Sequence, residues 1–224
     1  MKNKYGYRLH ISERKFREVL KLFCADLTAT KIAELTNLNR NTINAILSRM
    51  RDRIALIAEQ ESYFKAGEIE IDESYFGARR VRGRRGRGAS GKTIVFGMKK
   101  RGGKVYTQVV KNCSAAELVP IIRKLAPEDS VIYSDEWKAY DGLVNVGCKD
   151  HYRVKHSNDV FANGRAHING IENFWGAAKS RMLKFKGFSK EHFYKHLKET
   201  EFRFNHRQEN LYMLLLKEFR ITPL

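Results

Sequence analysis

Two acids stand where a carboxylate is expensive. Asp72 lies in Ile69-Glu-Ile-Asp-Glu73, which alternates like a strand, and Asp135 ends the apolar run Val131-Ile-Tyr-Ser-Asp135. A carboxylate that closes an apolar strand costs free energy unless it is paired or bound to a cation. Neighbouring strands can bring two such acids side by side, where like charges repel unless a divalent metal lies between them. Ligand sets made only of oxygen favour Mg²⁺ or Mn²⁺. Two such ions about 4 Å apart can activate a water or hydroxyl and stabilise the leaving oxygen of a phosphodiester. A third acid on an adjacent helix would complete the set. Glu172, in His167-Ile-Asn-Gly-Ile-Glu-Asn-Phe-Trp-Gly176, is the best placed. Each acid also has a plainer reading. Asp135 could cap a following helix, and Glu172 could be a solvated helical residue. In the first strand, Glu70 shares a face with Asp72 and Glu73 does not.

The chemistry these acids suggest needs a polyanionic substrate, and the charge balance fits one. The 224 residues carry 43 Lys and Arg against 25 Asp and Glu, a net charge of +18. Both parts of the chain are basic, with 13 cations against 7 acids up to residue 65 and 30 against 18 after it. Such a surface binds phosphates with release of counterions, so nucleic acid is the expected partner. The three cysteines, Cys24, Cys113 and Cys148, form no C-x-x-C pair, so neither a zinc ribbon nor a disulfide framework is indicated. They are expected to be reduced, partly buried thiols in a cytoplasmic, nucleoid-associated protein. No apolar run is long enough for a membrane span, and the basic N-terminus lacks a hydrophobic signal region.

The elements that must position these residues can be read from periodicity. Residues 12–25 carry Phe16, Val19, Leu20 and Phe23 at helical spacing behind Ser12. A short helix near 30–36 follows, then the turn Asn37-Leu38-Asn39. A longer helix from Arg40 carries Ile43, Ile46, Leu47, Met50, Ile54 and Ile57 on one face. This is a helix-turn-helix pattern. It leaves Arg40, Asn41, Thr42 and Asn44 at the exposed start of its second helix, where base edges would be read. Six arginines among glycines, Arg79, Arg80, Arg82, Arg84, Arg85 and Arg87, read as a loop that grips phosphates. Two strands at 93–98 and 104–110 form a hairpin around Gly102-Gly103. A helix from Ser114 to Leu125 opens on a Ser114-x-x-Glu117 capping box and contains Pro120. A strand ends at Asp135, a helix is expected after it, and a fifth strand lies near 151–155. A helix from 167 or 169 to Lys186 carries Glu172, and one or two helices complete the chain. The order predicts an α/β domain with one mixed five-stranded sheet flanked by helices, at 66–224, after a small all-α domain at 1–65.

Three stretches carry a resemblance. Ile71-Asp-Glu-Ser-Tyr-Phe-Gly77, Tyr133-Ser-Asp-Glu-Trp-Lys-Ala-Tyr140 and His167-Ile-Asn-Gly-Ile-Glu-Asn-Phe-Trp-Gly176 are similar to those of DDE transposases of bacterial insertion sequences with an ISXO2-like catalytic domain, over about residues 65–215. The resemblance implies an RNase H-like fold and a metal-binding catalytic triad of Asp72, Asp135 and Glu172. The 36 residues between the last two acids suit the family's spacing. Lys179, two helical turns after Glu172, matches a basic residue that contacts the DNA end in related transposases. His167 and Asn169 are expected to support the site. Phe174 and Trp175 should anchor the helix in the core, and Trp137 should brace the Asp135 loop. Many relatives also carry a cysteine-rich zinc-binding segment that the cysteines here do not match.

Read this way, the chain is a transposase. It would bind terminal inverted repeats of double-stranded DNA, cleave each end with two Mg²⁺ or Mn²⁺ ions, and join the 3′ ends to target DNA. Acting on two ends implies a homodimer or higher assembly. A catalytically silent DNA-binding repressor or transposase remnant, and a nuclease of the same fold, share many of these features. Strand cutting and joining separate the three.

Overall fold

The computed structural model describes residues 3–62, 64–77, 92–135, 148–154, 167–185 and 190–224. It divides the chain into two compact units, Met1–Glu59 with Met182–Leu224, and Gln60–Arg181.

In the first unit, α1 (Glu13–Cys24) starts where the Ser12 side chain accepts from the Lys15 amide. Thr28 does the same for α2 (Ala29–Thr36) through the Lys31 amide. Such caps satisfy helix amides that have no intrahelical partner. Asn37 ends α2 in the left-handed conformation, at φ 54°, which Asn tolerates better than most residues. The Asn39 carboxamide oxygen then accepts from the Asn41 amide as α3 (Arg40–Gln60) begins. The apolar stripes of the three helices meet in a core that includes Phe16, Leu20, Phe23, Ile32, Ile43 and Leu47, all essentially inaccessible. Leu38 packs at its edge.

The C-terminal helices belong to this unit, whereas the sequence order grouped them with the residues after 65. Helix α6 (Lys190–Asn205) and helix α7 (Leu211–Ile221) contribute Phe202, Leu215 and Phe219 to the same core. The physical reason is a shared apolar face, with Phe219 meeting the Phe16 ring edge-on at 6.2 Å. Polar ties reinforce it. Arg203 donates to the carbonyls of Phe23 and Cys24 at the end of α1 and pairs with buried Glu199, which also takes Arg51 at 2.6 Å. Asn205-His206-Arg207 closes α6. The buried His206 ring lies 2.6 Å from the Glu209 carboxylate. Burial raises the Cys24 thiol to about 11, aided by Glu199 and opposed by Arg203, which keeps it protonated and unreactive at neutral pH.

The second unit holds a five-stranded sheet in the order β3-β2-β1-β4-β5. Strands β1 (Glu68–Phe76), β2 (Thr93–Lys100) and β3 (Val105–Val110) form an antiparallel meander. Helix α4 (Ala115–Leu125) leads into β4 (Val131–Asp135), which pairs in parallel with β1 and with β5 (Asp150–Val154). This is the RNase H-like arrangement that the resemblance implied. The helix expected between β4 and β5 falls in 136–147, outside the described residues. Helix α5 (Asn169–Met182) follows β5 and ends four residues before the expected Lys186. Helix α4 is N-capped at Ser114 without the predicted capping box. The Glu117 carboxylate reaches the Lys111 amide instead, and the Asn112 side chain takes the Ser114 amide. All three cysteines are free thiols. Among the described residues, no helix is long and apolar enough to cross a membrane.

The shared core of α1 and α7 has a measurable consequence. Phe219→Ala should cost about 3–5 kcal/mol and speed hydrogen exchange in α1 while leaving β1 and β2 protected. Uniform loss of protection in both regions would show that the two units do not unfold separately.

Candidate active site

The parallel pairing of β1 with β4 sets the first two acids. Its register runs from Glu68 opposite Val131 to Glu70 opposite Tyr133. Continued by two residues along each chain, that register brings Asp72 level with Asp135, just past the last paired positions, with Asp135 at the carboxyl end of β4 and Asp72 midway along β1. Ligand crevices in α/β sheets open at the carboxyl ends of strands. Across the other edge of β1, Asp72 is paired with Gly97 of β2.

The third acid is set by α5. Its N-cap position is held by Ile168, an apolar residue without a capping side chain. The cap comes instead from the sheet. The Glu70 carboxylate, 1% exposed, accepts from the Ile171 amide at 2.8 Å with one oxygen. Its other oxygen takes Arg101 Nε at 3.1 Å. The same Arg101 donates to the His167 carbonyl and lies over the Tyr133 ring at 3.8 Å from its centre. A carboxylate at a helix N-terminus also gains from the helix dipole. Close approach needs the glycine of the motif. A Cβ at Gly170 would stand 2.7 Å from the Glu70 carboxylate and 3.0 Å from Lys99 Cε.

One turn along, Trp175 pins α5 to the sheet. Its ring lies against Gly97, where a Cβ would meet it at 2.4 Å, and makes an edge contact with Phe76 at 6.1 Å. Phe174 beside it is fully buried. The aromatic pair is therefore core, as the sequence indicated. Glu172 stands exposed in the first turn of α5, and its charge acts on Asp72.

The electrostatics register this convergence. Asp72 is raised to about 7, first by burial, then by the charge of Glu73 behind it, and then by Asp135 and Glu172, with an opposing hydrogen bond from the Glu73 backbone. Asp135 and Glu172, both far from Asp72 in sequence, thus act on it. Among the described residues, no three His, Cys, Asp or Glu side chains are drawn together tightly enough to cage an ion as they stand. An oxygen-only donor set around a half-buried, electrostatically crowded Asp72 suits Mg²⁺ or Mn²⁺.

The remaining sequence candidates divide. Lys179 lies exposed on α5 two turns beyond Glu172. The His167 carbonyl is held by Arg101, and its ring lies 3.6 Å from the Glu70 carboxylate. Asn169 is the exposed first residue of α5. Trp137 and the six arginines at 79–87 lie outside the described residues. In the first unit, Arg40, Asn41 and Asn44 are exposed and Thr42 is half-buried. Sequence reasoning missed Glu70 and Arg101 as partners of α5. The available signal was a helix start with no capping side chain, together with a strand acid on the same face as Asp72.

With the geometry in place, comparison with known proteins decides the family. Residues 65–205 match the ISXO2-like transposase domain. The chain belongs to that family. It is 44% identical over 115 residues to an uncharacterized transposase-like protein of Haemophilus influenzae, spanning 51% of this chain and 92% of the relative. It is 28% identical over 152 residues to an uncharacterized protein in the transposable element ISH50 of Halobacterium salinarum, spanning 61% of this chain and 52% of that protein. Among solved structures it is similar to the Mos1 mariner paired-end complex with Mn, at 13% identity and a TM-score of 0.32, covering 88% of this chain and 78% of that one. The Mos1 strand transfer complex aligns at 13% identity and a TM-score of 0.30, covering 88% and 76%.

The trans cap yields a contrast between two neighbouring acids. Glu70→Ala leaves Arg101 buried without its main partner and should cost about 3–5 kcal/mol in denaturant unfolding. Glu68→Ala, which removes a half-exposed partner 3.4 Å from the same arginine, should cost about 1 kcal/mol or less. Equal small losses would mean that Glu70 does not hold α5.

Proposed function

We propose that this transposase-family chain cuts double-stranded DNA at the ends of its element and joins the freed 3′ ends to target DNA, with Asp72, Asp135 and Glu172 as the catalytic carboxylates. The observation that supports the reading is that Asp72, which the β1–β4 register continued by two residues sets level with Asp135, feels the charge of both Asp135 and Glu172. Together the three acids would hold two Mg²⁺ or Mn²⁺ ions. When bound, those ions supply Lewis-acid activation of the attacking oxygen and stabilisation of the leaving one.

The chain's own residues do the rest. In the first step, a water oxygen bonds to phosphorus, the P–O3′ bond breaks, and the 3′ oxygen leaves as a hydroxyl. In the second, that hydroxyl oxygen bonds to a target phosphorus and expels the target's 3′ oxygen. Neither step needs a covalent enzyme intermediate. Lys179, on the helix that carries Glu172, is suited to holding the DNA end by a phosphate. Helices α2 and α3, joined by the Asn37–Asn39 turn, act as a helix-turn-helix. Arg40, Asn41, Thr42 and Asn44 read base edges in the terminal repeats. The arginines at 79–87 grip the backbone. Two ends are brought together by a homodimer or larger assembly in the bacterial nucleoid.

The test is nicking and strand joining of a plasmid that carries the DNA flanking the gene, with Mg²⁺ or Mn²⁺. Asp135→Asn should abolish both products while leaving duplex binding intact, because it removes charge and almost no volume. Binding without cutting in either protein would favour a silent DNA-binding remnant. Cutting without joining would favour a nuclease.

A second readout is independent of activity. Saturating Mg²⁺, at about 100 times its dissociation constant, should stabilise the wild-type fold by about 2.7 kcal/mol and the Asp72→Asn variant by much less. Equal stabilisation of both proteins would place the ions elsewhere.

A further inference from the structure

The first unit contains a groove of about 550 Å³ that the reading of α3 as a recognition helix does not account for. One wall is a single stripe of α3, with Arg40, Asn44, Ser48 and Arg51 spaced by four, four and three residues. These residues therefore project along one line of the helix. The end of the groove is the start of α2, at Thr28, Ala29 and Thr30. The opposite wall comes from the far end of the sequence. It is formed by Lys184, and by His192, Lys195 and His196 on one face of α6. Phe185 completes it, its ring tilted against that of His196 with centres 4.6 Å apart.

The described lining has four cations and two histidines and no acid. Acids behind it hold the cations in place. Lys195 is tied to Asp52 at 2.7 Å and to the Ser48 hydroxyl at 3.1 Å, Arg51 to Glu199 at 2.6 Å, and Lys184 to Asp26 at 2.9 Å. These ties fix the walls without placing a carboxylate in the groove. The result is a rigid cationic trough with hydroxyl and amide groups along one side. Arg40 and Asn44, two of the expected base readers, stand on its rim.

We infer that this groove seats a sugar-phosphate strand of the DNA that α3 reads, and that α6 is part of the DNA-binding head. The inference rests on the helix-turn-helix reading of α2 and α3 and extends it to a helix more than 130 residues away in sequence. The chemistry favours phosphate over bases. Lys and Arg heads, hydroxyls and the free amides of a helix start are the groups that contact backbone oxygens. A strand held there would fix the register of α3 against the duplex, and the exposed Asn41 would remain free to reach base edges. Residues on α6 then add affinity for any duplex without adding sequence preference.

The experiment measures duplex binding by the full chain across a salt series, for a duplex carrying the flanking DNA and for one of random sequence. Lys184→Glu and His192→Glu alter exposed positions of the second wall. Lys217→Glu, exposed on α7 and outside the groove, makes the same charge change as Lys184→Glu. Each groove variant should weaken both duplexes alike, and Lys184→Glu should flatten the slope of log K against log salt by about 0.9. The two changes together should raise the Kd about tenfold, while Lys217→Glu leaves the slope unchanged and melting curves stay alike. Groove variants that behave like Lys217→Glu, beside a wild type that binds, would overturn the inference and leave the helix-turn-helix reading standing. A wild type that binds neither duplex would overturn both.

Discussion

A helix that begins above a sheet points its first amides down at the strands, and those amides need acceptors. In this protein a buried carboxylate, Glu70, meets one of them, that of Ile171. The carboxylate is held in turn by Arg101, which also grips the chain just before the helix at His167. Burying this pair costs desolvation, and its geometry recovers that cost only if both partners and the helix start are in place. The constraint is therefore all-or-none. It fixes the axial position of α5 relative to β1, and Glu172 one residue beyond Ile171 follows. Glu70 is two residues from Asp72 on the same strand, so the group that anchors the third acid is built into the strand that carries the first.

Trp175 supplies the second coordinate. The trans cap fixes where α5 starts but leaves it free to swing about that point. The indole against Gly97 prevents this, because the sheet is hollowed where a Cβ would collide with the ring. Gly97 is the β2 partner of Asp72. Two contacts, one polar and one apolar, thus tie α5 to the strand positions on either side of the acid. A loop could present the same three acids, but a site on braced elements holds tighter geometry.

Much of this was legible in the sequence. The alternating strands and the apolar stripes of α1 and α3 each leave a local periodic signal, Phe174 and Trp175 are marked as core by their size, and all are found in the structure. Asp72 and Asp135 stood out because carboxylates within or at the end of apolar strands are costly, and Glu172 by its position on a later helix. Glu70 was visible only as a strand acid, since its partner amide lies 101 residues away and an amide carries no signature in a sequence. The place of α6 and α7 was hidden for a related reason. Their apolar faces fit α1 as well as they might fit any sheet. Nothing in 190–221 encodes which, and chain order suggested the nearer neighbour. The Ser114-x-x-Glu117 box misled because Asn112 offered the Ser114 amide a competing acceptor. Such local competition is common for Asn, Ser and Thr near helix starts.

The acidic site and the basic chain around it make opposite electrostatic demands, and the fold keeps them apart. Asp72 feels the charges of Glu73, Asp135 and Glu172 on top of its burial, and all of these oppose its ionisation. Native sequences break the rule against buried like charges where function requires it and offset the cost elsewhere. Here the offset is visible as core. Ile69, Ile71, Phe96, Met98 and Ile132 are fully buried in the strands directly beneath the acids. They make the sheet stable enough to carry an unfavourable cluster at its rim. Carboxylates gathered in this way attract cations rather than phosphate, and phosphoryl chemistry places its cations between such acids and a substrate.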